Sequence, residues 1–161
     1  MRRMPLLGLI VAVVALAADQ ASKLAILAHF AGRPFLVEHI VPTIDFELTA
    51  NRGVSFGLFN GHGGLPPIVF TGLALGIVLL LAWWLWRCTA WHMAVSLGLI
   101  IGGAIGNNLI DRVRLGSVVD FISFYIGSWH WYVFNLADAE ICVGVGILLL
   151  DSLLRRTESP K

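Results

Sequence analysis

The sequence predicts an all-α polytopic membrane protein: four transmembrane helices, with a small β-sheet-like, outward-facing flap between the first two. Three observations predict it. Hydrophobic residues fill 58% of the 161 positions and charged residues only 13%, too few polar groups to clothe a soluble surface of this size. The mean hydropathy of +0.84 points the same way. The apolar residues gather into four runs, about 5–28, 65–86, 91–110 and 137–154, each near the ~20 residues that cross a hydrocarbon core. The whole chain, 1–161, is read as one membrane domain, with 29–64 and 111–136 as its outward-facing segments.

The first run, MRRMPLLGLIVAVVALAAD, has the look of a cleavable leader, with Arg2 and Arg3 ahead of an apolar stretch and Ala15-Leu16-Ala17 at its end. The helical pattern nevertheless continues through Asp19-Gln20-Ala21-Ser22-Lys23 to about Ala28, long enough to span. Asp19 and Lys23 lie four apart and share a helix face. They read either as a neutralised pair that lets the helix stay in lipid, or as a polar bracket turned into a site at its outer end.

In the flap, Ile44, Phe46 and Leu48 alternate with Asp45, Glu47 and Thr49, the period of a half-exposed strand. Val37 to Val41 is its expected partner, with Pro42 near the turn. Gly53-Val54-Ser55-Phe56-Gly57 matches the G-x-S-x-G of serine hydrolases. That motif needs a strand–turn–helix within an α/β sheet, for which this chain has no room, so its glycines are read as serving a tight turn.

The second run opens on Pro66-Pro67, where proline is tolerated at a helix start. It closes on Trp83, Trp84, Trp86 and Arg87, an interfacial aromatic belt with a basic anchor. The third carries Gly98, Gly102 and Gly106 at four-residue spacing for close helix contact, and Gly72 and Gly76 are expected to do the same in the second. Arg155-Arg156 ends the fourth. With four spans, Arg2, Arg3, Arg87, Arg155, Arg156 and Lys161 fall on one side, which the positive-inside rule places in the cytoplasm with both termini. Asn51, Asp111, Arg112, Asp120 and Asp138 then stand at one level on the other side.

Other chemistries find little support. Net charge is +1 with scattered basic residues, so no nucleic acid partner is expected. Cys88 in a short loop and Cys142 in an apolar run do not suggest a disulfide. There is no CxxC or HExxH, and His29, His39, His62, His92 and His130 show no ligand spacing, so neither metal nor cofactor is expected.

Sorting the acids by neighbouring bases leaves three, Asp120, Asp138 and Glu140. Asp19 has Lys23, Asp151 has Arg155 four residues on, and Asp111 is followed by Arg112 and Arg114. Glu38, Asp45 and Glu47 are assigned to the solvated flap, and Glu158 to the tail. Asp138 and Glu140 open the fourth helix, where the helix dipole favours an anion, an account sufficient for Glu140. Asp120, between Val118-Val119 and Phe121-Ile122, has no such account. An acid without a partner at a bilayer edge marks function. Two carboxyls brought together share a proton, since both cannot easily ionise. One then takes a proton from water while the other donates to an amide oxygen, giving hydrolysis without metal or covalent intermediate. A proton-relaying transporter subunit using Asp19, Asp111, Asp120 and Asp138 is the alternative, but such sites lie near the midplane between repeated helices. A purely structural membrane subunit would leave Asp120 and Asp138 unexplained.

The chain resembles the lipoprotein signal peptidases (signal peptidase II) over nearly its whole length. The resemblance rests on Gly102-Gly103-Ala104-Ile105-Gly106-Asn107-Asn108-Leu109-Ile110-Asp111-Arg112, on Gly116-Ser117-Val118-Val119-Asp120-Phe121 and on Phe134-Asn135-Leu136-Ala137-Asp138. Asp19-Gln20 through Lys23 and Asn51-Arg52-Gly53-Val54-Ser55-Phe56-Gly57 add weaker support. It implies an aspartyl endopeptidase of the bacterial cytoplasmic (inner) membrane, with its flap and active site on the periplasmic face and Asp120 and Asp138 as catalytic dyad. It implies Asp19, Lys23, Asn51, Gly53, Asn108, Asp111, Arg112 and Asn135 as substrate-binding or bracing residues, Arg112 by holding Asp111, Asn108 and Asn135 by orienting substrate carbonyls or the dyad. The implied substrate is a diacylated prolipoprotein among membrane lipids, cleaved on the amino side of its lipidated cysteine. Inhibition by globomycin and a monomeric state are expected. Ser55 and Glu140 depart from the family pattern, and Glu140 adds a carboxylate near Asp138.

Overall fold

The computed structural model describes residues 3–33, 35–52 and 67–157. Three described helical runs are long and apolar enough to cross a membrane: Arg3–His29, Ile68–Arg87 and Trp91–Leu115. The first is α1 (Arg3–His29) and the second lies in α2 (Pro67–Arg87). The third joins α3 (Trp91–Ala104), a π-helical segment (Ile105–Asp111) and the short α4 (Arg112–Leu115). A further helix, α5 (Leu136–Thr157), has comparable length but carries Asp138, Glu140 and Asp151.

Helix α3 is the centre of the bundle because glycine lets its backbone approach two neighbours. A Cβ on Gly102 would stand 2.6 Å from the Ala12 carbonyl oxygen of α1, and one on Gly103 would stand 2.6 Å from that of Ala137 in α5. On the α5 side, a Cβ on Gly144 would come within 2.8 Å of the Ser96 carbonyl oxygen. Ser96 Oγ meanwhile donates to the Gly144 carbonyl at 2.6 Å. Such small-residue contacts replace the hydrophobic driving force that is absent between helices in lipid. The expectation for Gly72 and Gly76 is not met: a Cβ on either would touch nothing within 4 Å. Helix α2 turns most of its surface outward, as do Leu9, Val13 and Val14 of α1 and Leu149, Leu150, Leu153 and Leu154 of α5.

Above the bundle lies a four-stranded antiparallel sheet in the order β1 (Val37–Val41), β2 (Ile44–Asn51), β3 (Val118–Ile126), β4 (Trp129–His130). The flap expected between the first two helices is therefore half of a larger sheet, completed by the segment expected to be a connecting loop. Gly116, in the left-handed conformation at φ 71°, ends α4 with its N–H on the Arg112 carbonyl and turns the chain into β3. Strand β3 begins buried on successive residues, so it lacks the alternation that marks a half-exposed strand. Asp120 pairs with Thr49 across the β2–β3 ladder and Val118 pairs with Asn51. Ile26, Phe30 and Phe121 form the core beneath the sheet, fixing it to the end of α1.

Two of the acids, Asp45 and Asp151, have histidine neighbours. Asp45 is buried in the sheet, with its Oδ1 2.7 Å from His39 Nδ1 and accepting from the Tyr125 hydroxyl at 3.3 Å. Asp151 Oδ1 lies 2.8 Å from His92 Nε2 of α3, a contact from another helix that is close but outside hydrogen-bond alignment.

Gly102→Val should lower the stability of the detergent-solubilised protein by about 1–3 kcal/mol, the usual cost of overpacking. Gly76→Val should change it by less than about 0.5 kcal/mol, as at an open surface site. Thermal unfolding measures both, and equal losses would refute α3 as the packing centre.

Candidate active site

The site grows from one ammonium group. Lys23, 2% exposed, points its Nζ from α1 at three acceptors: Asp19 Oδ2 (2.9 Å), Asp111 Oδ2 (2.8 Å) and Asn107 Oδ1 (2.6 Å). Its three N–H bonds can serve one acceptor each. The i,i+4 spacing placed Asp19 on the same face, and the π-helical segment turns Asn107 and Asp111 to meet them. Such wide turns inside helices recur at functional sites. Asp111, expected to be held by Arg112, thus has Lys23 as its ion partner. Its Oδ1 also accepts from Gln20 Nε2 at 2.9 Å and its Oδ2 from the Val119 N–H at 3.3 Å.

From this cluster hydrogen bonds lead to the two aspartates that stood out in the sequence. Asp19 Oδ1 accepts the Ala137 N–H at 3.1 Å, tying the start of α5 to α1. This satisfies one of the unpaired amides of a helix N-terminus and sets a carboxylate at its positive end. Asn135 caps α5: its Oδ1 accepts the Asp138 N–H at 3.0 Å while Asp138 Oδ2 accepts the Asn135 N–H at 3.3 Å. This is the reciprocal bonding of a capping box. The Asn135 side-chain amide then donates to Asp120 Oδ1 at 2.6 Å, and also lies 3.1 Å from Asn107 Oδ1 and 3.2 Å from the Val119 carbonyl. Asp120 Oδ2 accepts from Asn51 Nδ2 at 3.1 Å, and Asp138 Oδ1 from Asn107 Nδ2 at 2.9 Å. Asp120 and Asp138 are therefore neighbours on a common amide frame.

Asp120 is 2% exposed. Burial, and next the charge of Asp138, push its carboxyl up to about 7, against the partial opposition of the Asn51 and Asn135 hydrogen bonds. Near neutral pH this acid is poised between its two forms, the state a proton-transferring group needs.

Of the residues singled out in the sequence, Asp19, Lys23, Asn51, Asp111, Asn135, Asp120 and Asp138 meet in this network. Gly53 lies outside the described residues. Asn108 sits one position to the side: its Oδ1 accepts from Arg112 Nε at 3.2 Å and its carbonyl from the Thr71 hydroxyl at 3.1 Å. Arg112 Nη1 reaches the Arg52 carbonyl at 3.3 Å, with its Cζ 5.0 Å from the Phe70 ring centroid. Asn107, within the same polar block, joins the network as well. The signal was there: Asn107 and Asp111, like Asn108 and Arg112, are polar residues four apart in an apolar run, and spacing alone does not say which pair faces inward.

Paired aspartates set in amides at the sheet-covered end of an apolar helix bundle define a membrane enzyme built for acid–base chemistry. The chain belongs to the signal peptidase (SPase) II family, which it matches over residues 11–154. It is 44% identical over 155 residues to the lipoprotein signal peptidase of Methylorubrum extorquens, covering 95% of this chain and 89% of that one. With the lipoprotein signal peptidase of Beijerinckia indica it shares 44% identity over 149 residues, covering 91% and 87%. Its fold resembles a bacterial membrane enzyme solved by the in meso method at 2.3 Å resolution, with TM-score 0.79, 26% identity and coverage of 96% and 91%.

Lys23→Met should lower stability by about 3–5 kcal/mol, the cost of stranding buried charges by removing a partner. Lys23→Met with Asp111→Asn should recover part of that loss. Chemical denaturation in mixed micelles separates the two, and a double mutant no more stable than the single would argue against the ion pair as the cause.

Proposed function

We propose that Asp120 and Asp138 are the catalytic pair of a membrane aspartic endopeptidase, which removes the signal peptide from diacylglyceryl-modified prolipoproteins on the amino side of the lipidated cysteine. The observation that carries this is the convergence of both carboxyls on Asn135, Asp120 on its side-chain amide and Asp138 on its backbone N–H, at the end of the bundle and beneath the sheet. Asp120, with its raised affinity for a proton, holds the shared hydrogen at rest and donates it to the scissile carbonyl oxygen. Asp138 takes a proton from the attacking water. Asn51, Asn107 and Asn135 hold the carboxyls without neutralising them, and Lys23, Asp19 and Asp111 hold the asparagines and the strand. Arg112 and Asn108 brace the stretch at Arg52. Globomycin inhibits by occupying the pair, and the enzyme works as a monomer in the bacterial inner membrane.

Helix α5 serves as the fourth span. Its 22 residues extend about 33 Å at ~1.5 Å per residue, enough for a hydrocarbon core of ~30 Å. Its acids avoid the lipid side: Asp138 is in the site, Glu140 is buried and Asp151 meets His92. Four spans put the arginines that begin α1 and end α2 and α5 in the cytoplasm, and the sheet with the aspartates in the periplasm, making 1–161 one membrane domain. In a background lacking Cys88 and Cys142, a single cysteine at Ser128 should react with a thiol reagent that cannot cross the inner membrane while that membrane is intact, and one at Thr89 only after the membrane is opened. Labelling of both from one side rejects four spans.

Purified enzyme should cleave a diacylated prolipoprotein and spare its non-acylated form. Asp120→Asn and Asp138→Asn should each reduce cleavage about 10²–10⁴-fold, the usual contribution of a general acid or base, with unfolding temperatures retained. Wild-type kcat/KM should fall about tenfold per pH unit above about 7, as Asp120 loses the proton it must donate. Activity undiminished at pH 9, or surviving in both variants, removes the dyad.

A further inference from the structure

Helix α2 meets the rest of the bundle along a narrow seam. Ala74, Val78 and Leu85 are buried and Leu81 packs against the same core, so contacts recur at alternating steps of four and three residues. Half-buried Thr71 continues this seam toward the start of the helix, at a position where the other members are apolar. It is the one side chain of α2 ahead of Trp83 that can donate a hydrogen bond.

A threonine in an apolar helix commonly returns its hydroxyl proton to the carbonyl four residues before it, which here belongs to Pro67. Thr71 donates instead across to the π-helical segment, to the Asn108 carbonyl at 3.1 Å. The adjacent residue reinforces the contact. The Phe70 ring centroid lies 5.0 Å from Arg112 Cζ, and Arg112 Nε bonds the Asn108 side chain at 3.2 Å. Turns of π geometry take backbone groups out of the regular ladder, and inside a membrane those groups need another partner. A hydroxyl from the neighbouring helix meets that need at Asn108.

The wide turns carry the site. A Cβ on Gly106 would meet the Asp19 carboxyl, and Asp111 lies 2.8 Å from Lys23 Nζ, so both residues face α1. In a regular α-helix, at ~100° per residue, positions five apart diverge by about 140°. The π-helical segment brings them to one side. Asn107 lies between them, donating to Asp138 Oδ1 at 2.9 Å and accepting from Lys23 Nζ at 2.6 Å.

We propose that Thr71 is a positioning residue for the aspartate pair: its hydroxyl, reaching from α2 into the π-helical segment, holds the wide turns that present Asn107 to Asp138 and Lys23. This rests on the peptidase reading above. Thr71 acts through Asn107.

Thr71→Val keeps the shape at the seam and removes the donor. With a diacylated prolipoprotein peptide its kcat should fall about tenfold, the scale of one hydrogen bond. KM should stay within about twofold, since the interaction serves the transition state rather than substrate binding. Thr71→Ser restores the hydroxyl and should recover most of the loss. Where Thr71→Val fails to fold, Thr71→Ala takes its place with no bulk added, and the serine variant should turn over about tenfold faster than the alanine one. In an Asn107→Ala background, removing the hydroxyl should cost less than about twofold further, because effects that pass through one residue do not add. Full kcat without the hydroxyl, a serine variant as slow as the alanine one, a change in KM alone, or losses that multiply across Thr71 and Asn107 each overturn the proposal. Wild-type enzyme inert toward the acylated peptide overturns the peptidase reading instead. Thermal unfolding of wild type, both single variants and the double variant then decides Thr71 by itself: shifts that fall short of additive support it, and additive shifts overturn it.

Discussion

An ammonium group withdrawn from water is tolerable only if every one of its hydrogens is met. In this protein Lys23 is such a group, and the way it is satisfied organises the rest. Its three acceptors lie on α1 and on the π-helical segment, and each has a second bond that leads onward. Asp19 reaches the start of α5, Asp111 reaches the backbone of β3, and Asn107 reaches Asp138. Four segments far apart in sequence are therefore located by one charge, and the positions of both catalytic candidates follow. In such a network each bond polarises the next, and a partly satisfied version is worse than none.

Among the described residues, the hydrogen-bond donors to the two aspartates are neutral. Asn51, Asn107 and Asn135 supply the donors, and the cations Lys23 and Arg112 make their described hydrogen bonds to other groups. This matters for chemistry. A cation bonded directly to either carboxyl would favour its charged form and release the proton that the pair shares. Amides fix the geometry at a smaller electrostatic cost, so burial and mutual repulsion still dominate at Asp120 and hold it near 7. Positioning and proton affinity are assigned to different side chains.

Much of this was legible in the residues. The apolar runs gave the helices because length and composition suffice for a span. The i,i+4 spacing of Asp19 and Lys23 gave their shared face, and elimination of the acids with nearby bases left Asp120 and Asp138 with only Glu140 beside them. Other features were hidden for identifiable reasons. Strand β3 lacks the alternation of a half-exposed strand, since both faces of its first residues are covered, so its sequence does not distinguish half the sheet from loop. Asp111 has arginines beside it in sequence, yet its partner comes from α1; proximity along the chain is a poor guide when helices pack side by side. The glycine spacing of α2 is the same as that of α3, but only α3 has neighbours close enough to use it. The choice of Asn107 over Asn108 turns on a rotation within the π-helical segment, which no spacing rule resolves.

The amide of Ala137 is received by a carboxylate made 118 residues earlier. Synthesis runs from the N-terminus, so the first helix must wait in the bilayer with its anchor point open until the last one arrives. Asp138 enters with that final helix, and the nascent chain has no second acid to place beside Asp120 before then. A translation product truncated before α5 therefore holds Asp120 without Asp138, and the proposed pair exists only once the last helix has taken its place against α1.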